Sequence, residues 1–277
     1  MFLLVVWQRS IYEKVKVYLH YKKIFMKERP LIVVTNDDSY TAKGIKELVS
    51  VMRKMGDVVM ISSDQPMSGK SHAVTIETPL RVTLISEEPG FMEYRANGTP
   101  VDMVKLAKHT LLKKAPDLIV SGINHGSNAS INIIYSGTMG AVLEAAIDGI
   151  PAIGFSLLDY YPDATFSHSF EFIERISKKV LKDGLPKGIA LNVNIPKVSD
   201  EPIKGIKVVR QAEARWVEEF EERTDPFRRK YYWLGGHFVN GDDRPDTDEK
   251  ALHDNYISVV PVQVDFTAHE YVEKMKF

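Results

Sequence analysis

The chain has 277 residues, 44% of them hydrophobic and 26% charged, enough to bury the core of one large domain or two intimate ones. Thirty-six Lys and Arg against 37 Asp and Glu leave a formal charge of −1, so no overall field draws the protein to a nucleic acid polymer or an anionic membrane. Cysteine is absent, which removes disulfides, thiolate metal sites and a cysteine nucleophile together and favours a reducing, cytoplasmic setting.

The opening run MFLLVVW is apolar, and the basic residues Arg9, Lys14, Lys16, Lys22 and Lys23 follow it. A secretory signal has the reverse order, and a membrane span needs about 20 apolar residues. Residues 1–28 therefore read as an appended segment outside the fold, with Met26 as a possible natural start; a weak interfacial helix is the other reading.

From Leu31 to Thr35 a continuous β-branched run predicts a parallel strand covered on both faces. Ile45, Leu48, Val49 and Met52 then fall at helical spacing, with Gly56 where a C-terminal cap belongs. Val58–Ser62 is a second strand. A long polar loop, 63–71, leads into Val74–Ile85, whose alternation predicts an antiparallel strand. Thr99-Pro100-Val101-Asp102 combines an N-cap, a proline at the first helical position and an acid at the third, and predicts a helix to about Lys113. Asp117–Ser121 is the next buried strand, followed by a Gly- and Asn-rich loop over 122–128. Ser136 opens a helix that ends at Gly149, Ala152–Ser156 is a strand, Ile173, Ile176 and Val180 mark a helix, and Ile189–Ile195 is a strand. This alternation predicts a doubly wound, mostly parallel α/β sheet over 29–196. Beyond Pro196 strand-like pieces at 205–210, 230–234 and 256–264 form a β-rich annex reaching residue 277.

Asn36-Asp37-Asp38 ends the first strand, at the edge where open α/β sheets bind ligands. Adjacent carboxylates repel each other, and a cation relieves the repulsion; the alternative is a polar turn that caps the next helix. Ser68 and Asn124 lie in loops that rise on the same edge, as ligands or as turn residues. Two carboxylates, a hydroxyl and an amide carbonyl suit one hard Mg²⁺ or Mn²⁺ ion and neutralise it without repelling a phosphate. Ser136-Gly137-Thr138 at a helix start makes either an anion site or a plain cap. His72 and His125 flank these loops and either serve a phosphate or support the structure. Gly69-Lys70-Ser71 is no P-loop, because Asp64 stands where that pattern needs glycine.

Several separated motifs occur in order: Val34-Thr-Asn-Asp-Asp38, Ser68-Gly-Lys-Ser-His72, Gly98-Thr-Pro-Val-Asp102, Ser121-Gly-Ile-Asn-His-Gly126, Ser136-Gly-Thr138, and Arg210 through Tyr231–Trp233 to Thr247-Asp248. Together they resemble the SurE (survival protein E) nucleotidases over about residues 29–277. The resemblance implies a Rossmann-like core, a C-terminal arm exchanged within a homodimer or homotetramer, and metal-dependent release of phosphate from nucleoside 5′- and 3′-monophosphates. It implies Asp37, Asp38, Ser68 and Asn124 as metal ligands, Asp37 and Asp38 as catalytic groups, and Asn36, His125, Ser136, Gly137 and Thr138 around the substrate. A phosphatase of polyphosphate or other small phosphomonoesters, and a non-catalytic nucleotide-binding regulator, are the alternative readings. One position departs from the family pattern: Ser39 stands where glycine is usual, and a positive φ there costs of order 1 kcal/mol.

Overall fold

A computed structural model describes residues 29–276. The expectations for residues 1–28 lie outside the described residues. Leu31–Thr35 (β1) is buried at every position, as its apolar run requires. Around it, Asp57–Ser63 (β2), Phe91–Ala96 (β4), Leu118–His125 (β5), Ala152–Leu157 (β6) and Ile189–Ile195 (β7) pair in parallel. Val82–Glu88 (β3) closes one edge antiparallel to β4. At the other edge Ile257–Gln263 (β11) runs antiparallel to β7 and carries Ile206–Val208 (β8) beside it. The order is β3-β4-β2-β1-β5-β6-β7-β11-β8, nine strands among the described residues.

Alternate residues of β1 enter opposite cores. Ile32 and Val34 pack with Leu48 and Met52 of Lys43–Met52 (α1) and with Ile173 and Ile176 of Phe170–Asp183 (α4). Leu31 and Val33 pack with Met103 of Pro100–Leu106 (α2) and with Met139 and Val142 of Gly137–Ile147 (α3). Helices on both faces of a parallel sheet are the doubly wound arrangement the sequence predicts. The predicted start of α2 also holds: Thr99 accepts from the Asp102 amide, and Asp102 returns the bond to the Thr99 amide at 2.9 Å.

Several expectations change. The stretch 74–81 is irregular, since the Thr75 amide is spent on Asp102 and Pro79 has no amide to give a ladder; the strand runs instead from Val82 and pairs with β4, which the sequence reading does not contain. The helix expected to Lys113 is α-helical only to Leu106 and widens into a π turn over Ala107–Leu111. The glycine-rich loop expected from 122 is strand as far as His125, with a break in register between Ser121 and Asn124. In the annex, Ala214–Thr224 (β9) and Lys230–Asn240 (β10) form a separate antiparallel ribbon, longer than the piece predicted at 230–234. Asp248–His253 (α5), which the reading does not contain, is capped by Thr247 and covers β11. The last described helix is His269–Val272 (α6). No described helix is long and apolar enough to cross a membrane.

Candidate active site

In the sheet order β2 and β5 flank β1 on opposite sides, so the chain reverses its direction of winding at the carboxyl end of β1. Asp37 and Asp38 leave β1 at that point, and Asn124 arrives beside them near the end of β5. Close approach of the backbone makes this possible. A Cβ on Gly44 would lie 2.0 Å from the Ile123 carbonyl oxygen, and one on Gly137 would lie 2.9 Å from the Asp37 Cβ.

Asn36 is wholly buried, and both ends of its amide are used within the protein: Ser62 Oγ donates to its Oδ1 at 2.5 Å, and its Nδ2 donates to the Ser39 carbonyl at 3.0 Å. Both ends of the side chain are thus engaged inside the protein. It braces the carboxylate turn. Ser39 has φ 87°, the left-handed conformation the glycine usual at this position adopts without strain. Its hydroxyl bonds Thr41 Oγ1 at 3.0 Å, so the turn is held despite the Cβ.

Asp37 is buried and accepts a bond from Thr138 Oγ1 at 2.5 Å. The amides of Gly137 and Thr138 also stabilise its charge, yet burial outweighs them and raises its pKa. Asp38 is pushed up to about 6, first by burial and then by the charge of Asp37. The backbone amide of His125, 3.1 Å from its Oδ2, only partly offsets this. Among the described residues neither carboxylate has a Lys or Arg partner.

Asp37, Ser68, Gly69, Asn124, His125 and Ser136 line one cleft of about 330 Å³. Met67 donates its amide to the Asp37 carbonyl at 2.7 Å, which pins the Ser68 loop across the site. Asn124 spends its Nδ2 on the Gly126 carbonyl at 2.8 Å, so Oδ1 is the end left for a ligand. His125 Nδ1 donates to the Tyr161 carbonyl at 3.0 Å, which leaves Nε2 for a ligand. Ser136 caps α3 by accepting from the Met139 amide at 3.0 Å, and Thr138 serves Asp37. His72 stands apart: its Nε2 pairs with Glu144 at 3.1 Å, which also takes Lys105 at 2.6 Å, and it does not line this cleft.

The loop after β5 rests on a buried amide ladder. Asn128 donates its amide to Asn194 Oδ1 at 2.8 Å, Asn192 Nδ2 donates to the Asn128 carbonyl at 2.8 Å, and Asn128 Nδ2 reaches Ser156 Oγ at 2.8 Å. Sequence reasoning did not find Asn128, Asn132, Tyr135, Tyr160 or Trp216, which also line the cleft. Tyr160 was within reach, since it follows β6 at the same sheet edge. Trp216 was not, because its strand was unforeseen.

Among the described residues no three His, Asp or Glu side chains cluster as they would around a metal ion. Asp37 lines the cleft with neutral oxygens from Ser68 and Asn124, while Asp38 follows it in the turn outside that lining; two carboxylates with neutral oxygens suit a hard divalent cation, which would relieve the repulsion that His125 only partly offsets.

Open α/β proteins that gather oxygen donors and a helix N-terminus at the switch point of the sheet form an anion-handling class, and this chain falls within it. Comparison with known proteins narrows the class. The family model described as "Survival protein SurE" matches residues 32–218, so the chain belongs to the SurE family. It is 58% identical over 252 residues to the 5′-nucleotidase SurE of Christiangramia forsetii, covering 90% of this chain and 96% of that protein. With the 5′-nucleotidase SurE of Cytophaga hutchinsonii it shares 52% over 248 residues, 89% of this chain and 96% of that protein. The crystal structure of the SurE protein from Aquifex aeolicus superposes with a TM-score of 0.77 at 35% identity, over 89% of this chain and 98% of that one.

Proposed function

We propose that the chain is a nucleotidase, a phosphoric monoester hydrolase that releases phosphate from nucleoside 5′-monophosphates and also from 3′-monophosphates, with one divalent cation, Mg²⁺ or Mn²⁺, as cofactor. Membership of a family whose members at up to 58% identity are named 5′-nucleotidase supports the activity. The observation that carries the site is the buried Asp37–Asp38 pair, raised in pKa and, among the described residues, without a Lys or Arg partner at the sheet's switch point.

In this reading Asp37, Asp38, Ser68 and Asn124 hold the cation, which when bound draws charge from the phosphate ester. Thr138 and the first turn of α3 fix Asp37 in its rotamer. Ser136 and His125 line the cleft where the phosphate would bind, and the N-terminus of α3, whose Gly137 and Thr138 amides hold Asp37, lends its positive end to the site. Asp38, at the end of β1 beside the cation site, is placed to take the proton of the attacking water. Water oxygen bonds phosphorus, the ester P–O bond breaks, and the leaving nucleoside oxygen takes a proton from solvent to depart as the alcohol while Asp38 returns the water's proton to solvent.

The β9–β10 ribbon exposes Phe220, Tyr232, Trp233 and Leu234, apolar surface that a second copy of the chain would cover, so the protein works as a homodimer or homotetramer. The absence of cysteine fits a cytoplasmic site of action. Phosphate release from AMP, GMP and 3′-AMP with Mn²⁺ or Mg²⁺, and its loss in EDTA, tests the activity; turnover unchanged by EDTA contradicts the metal assignment.

A further inference from the structure

The loop that carries Ser68 has no core of its own. Between Asp64 and Thr75 no residue is buried, and Ser68, Gly69 and Lys70 are exposed. A segment without buried apolar side chains keeps one conformation only through its polar contacts, so their partners decide where Ser68 stands.

Most of those partners belong to α3 or to the turn before it. The Ser71 hydroxyl donates to the Ile134 carbonyl at 2.6 Å and its amide to the Tyr135 carbonyl at 3.2 Å. The loop then presses on the helix at Gly140, where a Cβ would lie 2.4 Å from the Ser71 carbonyl oxygen. One turn further along the same face, His72 Nε2 meets Glu144 Oε2 at 3.1 Å; a carboxylate only accepts, so this nitrogen is the donor. Glu144 is 6% exposed, and Lys105 of α2 at 2.6 Å with Lys108 at 3.7 Å hold it in place. Beyond His72 the Ala73 carbonyl and the Thr75 amide are taken by Thr99 and Asp102 at the cap of α2.

The first turn of α3 already holds Asp37 through Thr138. One helix thus grips Asp37 at its start and the Ser68 loop at its middle, which sets how far apart a carboxylate and a hydroxyl assigned to the same cation stand. His72 supplies the one side-chain charge pair of the loop among the described residues, and it lies outside the cleft, so whatever it does for the site passes through the loop.

We propose that His72 is a positioning residue: by tying the loop to Glu144 of α3 it delivers the Ser68 hydroxyl to the cation. The assignment rests on the metal reading above and adds to it a residue that touches neither cation nor substrate.

Calorimetric titration of Mn²⁺ into the metal-free protein tests it, with amide hydrogen exchange of the loop as a second readout. His72→Ala raises the Mn²⁺ Kd about tenfold, the scale on which groups that hold metal ligands in place act. Exchange over residues 67–75 becomes several-fold faster while that of β1 and β5 is unchanged, which also reports that the variant folds. His72→Gln, whose side-chain amide donates to Glu144 in place of the ring, brings the Kd back to within about threefold of the wild type. Ser68→Ala weakens Mn²⁺ binding by itself but adds less than about twofold to His72→Ala, since a displaced hydroxyl has nothing left to lose. Additive losses, an unchanged Kd in His72→Ala, or no rescue by His72→Gln overturn the proposal. If the wild type binds no Mn²⁺, or Ser68→Ala binds it as the wild type does, the reading of Ser68 as a metal ligand fails instead. Loop exchange then decides the clamp alone: faster exchange in His72→Ala sustains it, and unchanged exchange refutes it.

Discussion

Strands β1 and β10 are both rich in apolar residues, yet β1 is buried throughout while Tyr231, Tyr232, Trp233 and Leu234 of β10 all face solvent. The difference lies in what covers them. β1 has a strand on each side and helices on both faces, whereas β10 pairs only with β9. Apart from the Trp216 bond to Asn132 at its root, the ribbon's ion pairs are local, Arg223 with Glu221 and Lys230 with Glu222, and exposed pairs of this kind add little stability. One region is finished within a single chain, and the other leaves apolar side chains in solvent.

Matched truncations in the two regions sharpen this contrast most. Phe155→Ala, at a fully buried position beside the β5 strand, costs about 3–5 kcal/mol in urea unfolding of the isolated chain. Leu234→Ala, 64% exposed on the arm, changes that stability by less than about 0.5 kcal/mol and instead shifts light scattering towards smaller species. A large loss of chain stability at Leu234 would mean that the arm is part of the core.

The second contrast lies between the two cores and the charged site at their edge. Asp38 has a folded pKa of about 6, above its ordinary 3.8. The folded state thus holds this proton more tightly than the unfolded state. Its contribution is fully present below about pH 4 and is lost as pH rises through 6, on the order of 2 kcal/mol in metal-free protein. Urea midpoints in EDTA at pH 4.5 and 7.5, compared between the wild type and Asp38→Asn, isolate that loss. Equal pH dependence in the two proteins would show that Asp38 carries no strain.

Ser39→Gly gives the smallest expected change. Relief of the positive φ gains about 1 kcal/mol, and loss of the Thr41 contact and glycine's extra unfolded freedom return part of it, leaving about 0.5 kcal/mol of stabilisation by thermal melting. Destabilisation would show that the hydroxyl contact outweighs the backbone strain.

The same contrast decides what could be read from the sequence. Buried parallel strands declare themselves as β-branched runs, so β1, β2, β5, β6 and β7 were legible, as was the Thr99–Asp102 cap. The ribbon was not, because Glu218, Glu219, Glu221 and Glu222 in β9 resemble a solvated charged run when neither face is buried. Within the site, adjacency and position at a strand end revealed the two carboxylates. The bracing role of Asn36 and the anchoring of His125 through Tyr161 depend on partners far away in the chain, which no local pattern announces. Trp216 reaches the cleft only because the arm folds back over the Asn132 turn.

The central claim, that Asp37 and Asp38 are paired to hold a cation, is tested most directly by thermal melts of the wild type and Asp38→Asn in EDTA and in Mn²⁺, beside phosphate release from AMP. In EDTA the variant should melt at the same temperature as the wild type or above it, because one of two repelling charges is gone. With Mn²⁺ at about a hundredfold over its Kd the wild type should gain roughly 2.7 kcal/mol, while the variant gains much less and loses turnover. An Asp38→Asn protein that keeps the full Mn²⁺ shift and full turnover would contradict the account.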